Sequence, residues 1–174
     1  YTLKIVFSLI ENSTTPLVLD ADALNCVAKQ PEILLRKKAP IIITPHPGEM
    51  SRLTGLATPL VNAERERVAL DFAQKYGVVT VLKGAGTVIA SPNGKVLVNP
   101  TGNSGMATGG SGDVLAGMTA SILAQGASAF SSAAAAVYLH GLAGDIAAEK
   151  YGKISMLPTD LINCIPLAYK RCGF

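Results

Sequence analysis

Tryptophan is absent from this 174-residue chain, aromatic residues of any kind make up 5% of it, and charged residues only 16%. The single dense basic cluster, Arg36-Lys37-Lys38, has no aromatic residue interleaved for stacking on bases. It reads as a solvated helix end, and no nucleic-acid partner is expected. Cysteine is scarce and odd in number. Cys26, Cys164 and Cys172 lack CxxC spacing, which argues against a disulfide framework or a zinc site and fits a reducing cytoplasm. No apolar run approaches the ~20 residues that span a bilayer, and the first residues carry neither a basic start nor a sustained apolar stretch. A soluble protein with no membrane partner is expected.

What is present is apolar and small. Hydrophobic residues reach 49% and glycines number 17, a globular composition whose core is built from small aliphatic side chains. The length suits one domain that needs neither disulfides nor a structural metal. The chain opens on Tyr1, with Leu3, Val6, Leu9 and Ile10 at helical spacing, so it reads as entered in mid-helix. The expectation is the C-terminal portion of a larger domain, cleaved or truncated, whose sheet has partners upstream.

Residues 16–20 and 39–44 are short continuous apolar runs bounded by turn residues, the pattern of strands buried on both faces of a parallel sheet. Between them, Pro31 divides residues 22–38 into two short helices. Residues 48–56 read as a helix closed near Gly55, and 62–76 as a longer amphipathic helix ended by Gly77. Residues 78–82 form a third buried strand. Residues 87–90 and 95–98 flank Pro92-Asn93-Gly94 as an antiparallel hairpin at the sheet edge. A glycine-rich stretch, 101–112, feeds a helix ended by Gly126. An alanine-dense helix over 128–150, capped by Ser128, and a last short helix capped by Thr159 or Asp160 complete the chain. Strands alternating with helices imply an α/β sandwich with a mostly parallel sheet.

The chemistry concentrates in Gly109-Gly110-Ser111-Gly112-Asp113. Successive glycines let backbone N–H groups turn toward one point, and the following helix adds its positive end, so phosphate is the natural occupant. A carboxylate there is kept ionised and ready to accept a proton, yet aspartate is also among the commonest capping residues, so Asp113 reads either as a base or as a plain N-cap. The spacing fits neither Walker A, since no lysine occurs between Lys95 and Lys150, nor a dinucleotide GxGxxG.

Residues 101–117, with this loop at their centre, resemble the signature of the ADP/ATP-dependent NAD(P)H-hydrate dehydratases of the ribokinase-like superfamily. Leu19-Asp20-Ala21-Asp22-Ala23-Leu24-Asn25, Thr44-Pro45-His46-Pro47-Gly48-Glu49-Met50 and Leu82-Lys83-Gly84-Ala85-Gly86-Thr87 fit the same family in the same order. The resemblance implies a ribokinase-like α/β/α sandwich, here without N-terminal elements that the family carries. It also implies ADP or ATP with Mg2+ as cofactors, hydrated NADH or NADPH as substrate, and a homo-oligomer, a tetramer in the family. By the same resemblance Asp113 is the base on the ring hydroxyl, the Gly112 N–H holds the phosphoryl group, Lys83, Gly84, Ala85, Gly86 and Thr87 bind the nucleotide, and His46 contacts the hydrate. Glu49 is assigned to magnesium-bound water or phosphate orientation, and no direct metal ligand is named. Asp22 and Asn25 stand either on the substrate side or, for Asp22, at a helix cap. Tyr138, His140 and Asp145 read as packing or helix–helix hydrogen bonding. Two other readings compete. A small-molecule kinase of the same superfamily is disfavoured by His46, where such kinases tend to carry asparagine. A noncatalytic nucleotide-binding module is disfavoured by intact Lys83 and Asp113.

Overall fold

The computed structural model describes all 174 residues, Tyr1–Phe174. Helix α1 (Thr2–Asn12) leads into strand β1 (Leu17–Leu19). Helix α2 (Asp22–Val27) and a 3-10 turn (Pro31–Arg36) cross over to β2 (Ile41–Ile43). Helices α3 (Pro47–Thr54), α4 (Thr58–Ala63) and α5 (Arg65–Tyr76) cross again to β3 (Val79–Leu82), and β4 (Val88–Ala90) and β5 (Val96–Val98) form the hairpin. After a 3-10 turn (Ser104–Met106), α6 (Ser111–Ala124), α7 (Ala129–Tyr151) and α8 (Pro158–Arg171) close the chain.

The strands lie in the order β1-β2-β3-β4-β5. β1, β2 and β3 are parallel, and β4 runs antiparallel between β3 and β5, so four of the five strands point the same way. Period-two alternation divides the apolar side chains between the two faces. Ile41, Ile43, Leu82 and Val88 pack under α1, α2, α3 and α5, while Ile42, Val79, Val81 and Ile89 pack under α6, α7 and α8. β2 and β3 are buried throughout, as their unbroken apolar runs require. The expected α/β sandwich is therefore what forms, with the hairpin at one sheet edge.

Three boundaries differ from the sequence expectation. The helix expected over 62–76 is two helices, broken at Glu64, whose φ of −127° and ψ of 42° are not helical. The last helix is long, 14 residues, and neither Thr159 nor Asp160 is its N-cap. Leu157 holds that position, and Asp160 in the first turn accepts its N–H at 2.8 Å. Helix α6 starts two residues earlier than Asp113, because Gly110 takes φ 96° and turns the chain at that point.

Candidate active site

Parallel strands leave their carboxyl ends on one edge of a sheet, and sites in open α/β sheets form in the crevice beyond those ends. Here the ends of β1, β2 and β3 deliver Asp20, His46 and Lys83. Asp20 and Lys83, 63 residues apart in the chain, meet at 2.7 Å between Oδ1 and Nζ, with side chains only 12% and 20% exposed. The residue after Asp20, Ala21, is the only non-glycine with positive φ (48°), a strained bend that turns the chain from β1 into α2. The backbone N–H of Lys83 donates to the Pro45 carbonyl at 2.8 Å, so β2 and β3 stay tied past the sheet itself.

His46 is the N-cap of α3. Its Nδ1 accepts from the N–H groups of Gly48 at 3.0 Å and Glu49 at 3.3 Å, which places the ring proton on Nε2. Glu49 reciprocates by accepting the His46 N–H at 2.8 Å, a capping box with histidine in the serine role. The Glu49 carboxylate is buried, with its Oε2 3.9 Å from Lys83 Nζ. Lys83 thus faces two carboxylates, one at the end of β1 and one in the first turn of α3, while the His46 side chain is half exposed, its Nε2 3.6 Å from Glu49 Oε1.

The glycine loop arrives from the other face of the sheet. Helix α6 packs along β1, and a Cβ placed on Gly112 would lie 3.5 Å from Lys83 Nζ and 3.8 Å from Asp20 Oδ2. The backbone of Gly112 thus runs beside the ion pair, with its N–H in the first turn of α6, where helix N–H groups have no intrahelical partner. Asp113 is the third residue of α6, exposed, and caps nothing. The plain N-cap reading of Asp113 is therefore excluded, since Gly110 holds that position.

The loop before the glycines is anchored to α7. Asp145 accepts the Gly102 N–H at 2.9 Å and the Asn103 amide at 2.9 Å, and Thr101 Oγ1 donates to the Tyr138 carbonyl at 2.9 Å. Met106 sits in a notch made by Gly144, where a Cβ would come within 2.3 Å of its sulfur. Asp145 thus binds a loop, not a neighbouring helix, and Tyr138 is exposed, with only its backbone carbonyl engaged by a hydrogen bond from the loop. His140 does make a helix–helix contact, with Ser111. The Asn25 amide donates to Asp22 at 3.4 Å and accepts from Arg52 at 2.7 Å on the α2–α3 surface, and Asp22 is not an N-cap, since Ala21 precedes it in that role.

Lys83 to Thr87 form a turn closed by Thr87 Oγ1, which donates to the Gly84 carbonyl at 3.0 Å. Gly84 has φ 148° and supports the Arg65 guanidinium, 2.8 Å from where a Cβ would stand. Arg65 donates to the Leu82 carbonyl at 2.8 Å, and burial lowers its pKa from the ordinary arginine value. Ala85 and Gly86 border an open groove of about 550 Å³ between this turn and the α4–α5 junction. A second groove, about 400 Å³, lies at the opposite end of the strands around Lys37 and Gly77, away from every candidate residue.

Two features were missed from the sequence. Asp20 lay inside a matched segment but carried no role, although an acid ending a buried strand was the available signal. Arg65 had no signal beyond its place at a helix start.

Charged side chains gathered at the ends of parallel strands beside a glycine loop that opens a helix are features of an α/β protein whose candidate site lies at the carboxyl edge of its sheet. A ribokinase-like superfamily protein from Enterococcus faecalis superposes with a TM-score of 0.82 at 31% identity, covering 97% of this chain and 58% of that one. The profile of the NAD(P)H-hydrate dehydratase family matches residues 2–167, and the chain belongs to that family. The crystal structure of an ADP/ATP-dependent NAD(P)H-hydrate dehydratase from Bacillus subtilis, co-crystallised with ATP/Mg2+, has a TM-score of 0.84 and 36% identity over 93% of this chain and 57% of that one. A bifunctional NAD(P)H-hydrate repair enzyme, Nnr, from Moorella thermoacetica is 45% identical over 170 residues, 98% of this chain and 32% of that protein. The chain thus spans about a third of that curated relative.

Proposed function

We propose that the carboxyl edge of the sheet is the nucleotide-dependent half of a site that dehydrates hydrated NADH or NADPH. The observation that carries this reading is the convergence of residues from four separate segments: Asp20, the His46–Glu49 box, Lys83 and Gly112 lie together at one end of the sheet. Lys83 to Thr87 take the nucleotide, and the N–H of Gly112 meets the phosphoryl group as charge develops on it. Asp113 accepts the proton of the ring hydroxyl as that oxygen bonds to phosphorus and the bond to the nucleotide breaks. Phosphate, a better leaving group than hydroxide, then departs with the electron pair of the ring C–O bond, and the adjacent ring carbon gives up a proton to solvent as the double bond forms. His46 offers its Nε2–H to the hydrate from the facing strand end.

Charge supports a cation arriving with the nucleotide. Asp20 and Glu49 set two carboxylates against the ammonium of Lys83, so this cluster has no surplus positive charge of its own to offer a polyphosphate. No cluster of three or more ligating side chains forms a metal cage. Magnesium held through waters, phosphates and one or two carboxylates fits this donor set, with Asp20 and Glu49 the nearest candidates. When bound it would neutralise phosphate charge.

The test incubates the full-length gene product with hydrated NADH and ADP, then ATP, and follows the return of the nicotinamide absorbance. Return with either nucleotide supports the reading. No return, with a different alcohol phosphorylated instead, replaces it by a small-molecule kinase, and nucleotide binding without any turnover replaces it by a noncatalytic module. The reading carries with it a cytoplasmic location and a homo-oligomer, the latter checked by light scattering. No helix is long and apolar enough to cross a membrane.

A further inference from the structure

His140 is a strongly buried ionisable side chain that the proposed chemistry leaves without a task. It lies within α7, 8% exposed, and its Nε2 stands 3.0 Å from the carbonyl oxygen of Ser111 and 3.4 Å from Ser111 Oγ. A carbonyl oxygen has no proton to give, so at 3.0 Å the imidazole must be the donor and carries its proton on Nε2. Burial pulls the His140 pKa down to about 4; the Ser111 carbonyl opposes that shift, and the charge of Lys83 adds to it. At neutral pH the ring is uncharged, with Nε2–H directed at Ser111.

The carbonyl of Ser111 and the N–H of Gly112 are the two ends of one planar peptide unit. A donor on the oxygen fixes the plane of that unit and draws electron density from its nitrogen, which makes the N–H a stronger donor. Gly112 is also the residue whose Cα side abuts the Lys83–Asp20 pair. Without His140, this face of the Ser111 carbonyl would look into the buried space between α6 and α7, and the first turn of α6 would lose a tie to the layer behind it. Building on the reading of the Gly112 N–H as a hydrogen-bond donor to the phosphoryl group, we infer that His140 is a positioning residue. Through the Ser111–Gly112 peptide unit it aims and polarises the Gly112 N–H toward the transferred phosphoryl group.

Two variants separate this role from packing. His140→Leu fills the space without a donor, and His140→Gln restores an N–H at a similar reach. The expected result is a loss of about tenfold to a hundredfold in kcat for H140L, the scale seen when groups that orient a reactive one are removed. KM for the nucleotide should stay within about threefold, because the lost polarisation matters most where charge develops, and H140Q should recover most of kcat. Unchanged kcat in H140L, or H140Q as impaired as H140L, overturns the proposal. A second readout does not depend on turnover: the amide proton resonance of Gly112 should be displaced in H140L and close to its original position in H140Q. If the unaltered protein fails to dehydrate the hydrate, the functional reading has failed, and the Gly112 resonance still decides the role of His140. Should H140L not fold, the histidine nitrogens of the unaltered protein decide it. A slowly exchanging Nε2–H on His140 supports the proposal, and an Nδ1–H tautomer overturns it.

Discussion

Lys37 and Lys83 are both largely shielded from solvent, but they stand at opposite ends of the sheet and are satisfied in opposite ways. Lys37, ahead of β2, donates to the carbonyls of Tyr76 at 2.8 Å and Leu34 at 3.3 Å, closing the ends of α5 and of the first 3-10 turn. Its charge is spent on backbone and helix dipoles, no carboxylate answers it, and burial lowers its pKa. Lys83, at the end of β3, is answered by Asp20 at the end of β1 and by Glu49 in the first turn of α3, and it abuts the start of α6. The amino end of the sheet uses a cation to finish secondary structure. At the carboxyl end Glu49 also caps α3, but the Asp20–Lys83 pair finishes no helix or strand, and that surplus is what marks this end as the candidate site.

The comparison is broken most severely at Asp113. Asp113→Asn removes the proposed base while leaving the loop N–H groups, and turnover should fall about 10³-fold with nucleotide affinity and melting temperature unchanged. Retention of turnover would remove Asp113 from the chemistry. Next in size is Lys83→Met, which leaves two largely buried carboxylates without the cation that answers them. A loss of about 2 kcal/mol in denaturant unfolding is expected, discounted for the part of the pair still open to water, together with a large loss of turnover. Lys83→Met combined with Asp20→Asn should regain stability but not activity. If activity also returns, the pair is structural, as Lys37 is.

A pH dependence sharpens the same contrast. His140 has its pKa lowered to about 4 from 6.5, chiefly by burial. Between those values the unfolded chain binds the proton and the folded chain does not, so this contribution to stability is complete above pH 6.5 and is lost as pH falls toward 4. Unfolding curves across that window should show the slope in the unaltered protein and a reduced slope in H140Q.

At the amino end effects should be smaller and confined to stability. Lys37→Met should cost about 1 kcal/mol, leaving the Tyr76 carbonyl short of a donor, with turnover untouched. A turnover defect there would erase the distinction between the two ends. The smallest change is Thr80→Val in the middle of β3. Thr80 Oγ1 is buried with no hydrogen-bond partner, so replacing the hydroxyl by a methyl group of similar shape should raise stability by roughly 1 kcal/mol. A loss on thermal melting would mean that the hydroxyl has a partner.

Much of this architecture was legible along the chain. Continuous apolar runs at 39–44 and 78–82 marked β2 and β3, because strands covered on both faces have no polar side to alternate. Pro92-Asn93-Gly94 marked the edge hairpin, and Ser128 the start of α7, where its hydroxyl accepts the Ser131 N–H at 3.2 Å. Residues 62–76 misled because their amphipathic period runs through Glu64, where the backbone nevertheless leaves the helix. Asp145 was read as helix packing because its partners, Gly102 and Asn103, lie more than forty residues away in the chain.

The sequence by itself determined what depends on neighbours in the chain: the kind and order of elements, the glycine loop ahead of a helix, and the four motifs that place the protein in its family. Periodicity, turn chemistry and capping act over a few residues, so they can be read there. Only the tertiary structure decided which charges meet. The order and register of three parallel strands bring Asp20 to Lys83. The packing of α6 against α7 sets a neutral histidine behind the peptide unit of Gly112. A positive φ at Gly110, together with those contacts, starts α6 early enough to leave Asp113 uncapped and facing solvent. Such contacts depend on how whole elements stack, and no local pattern along the chain encodes them.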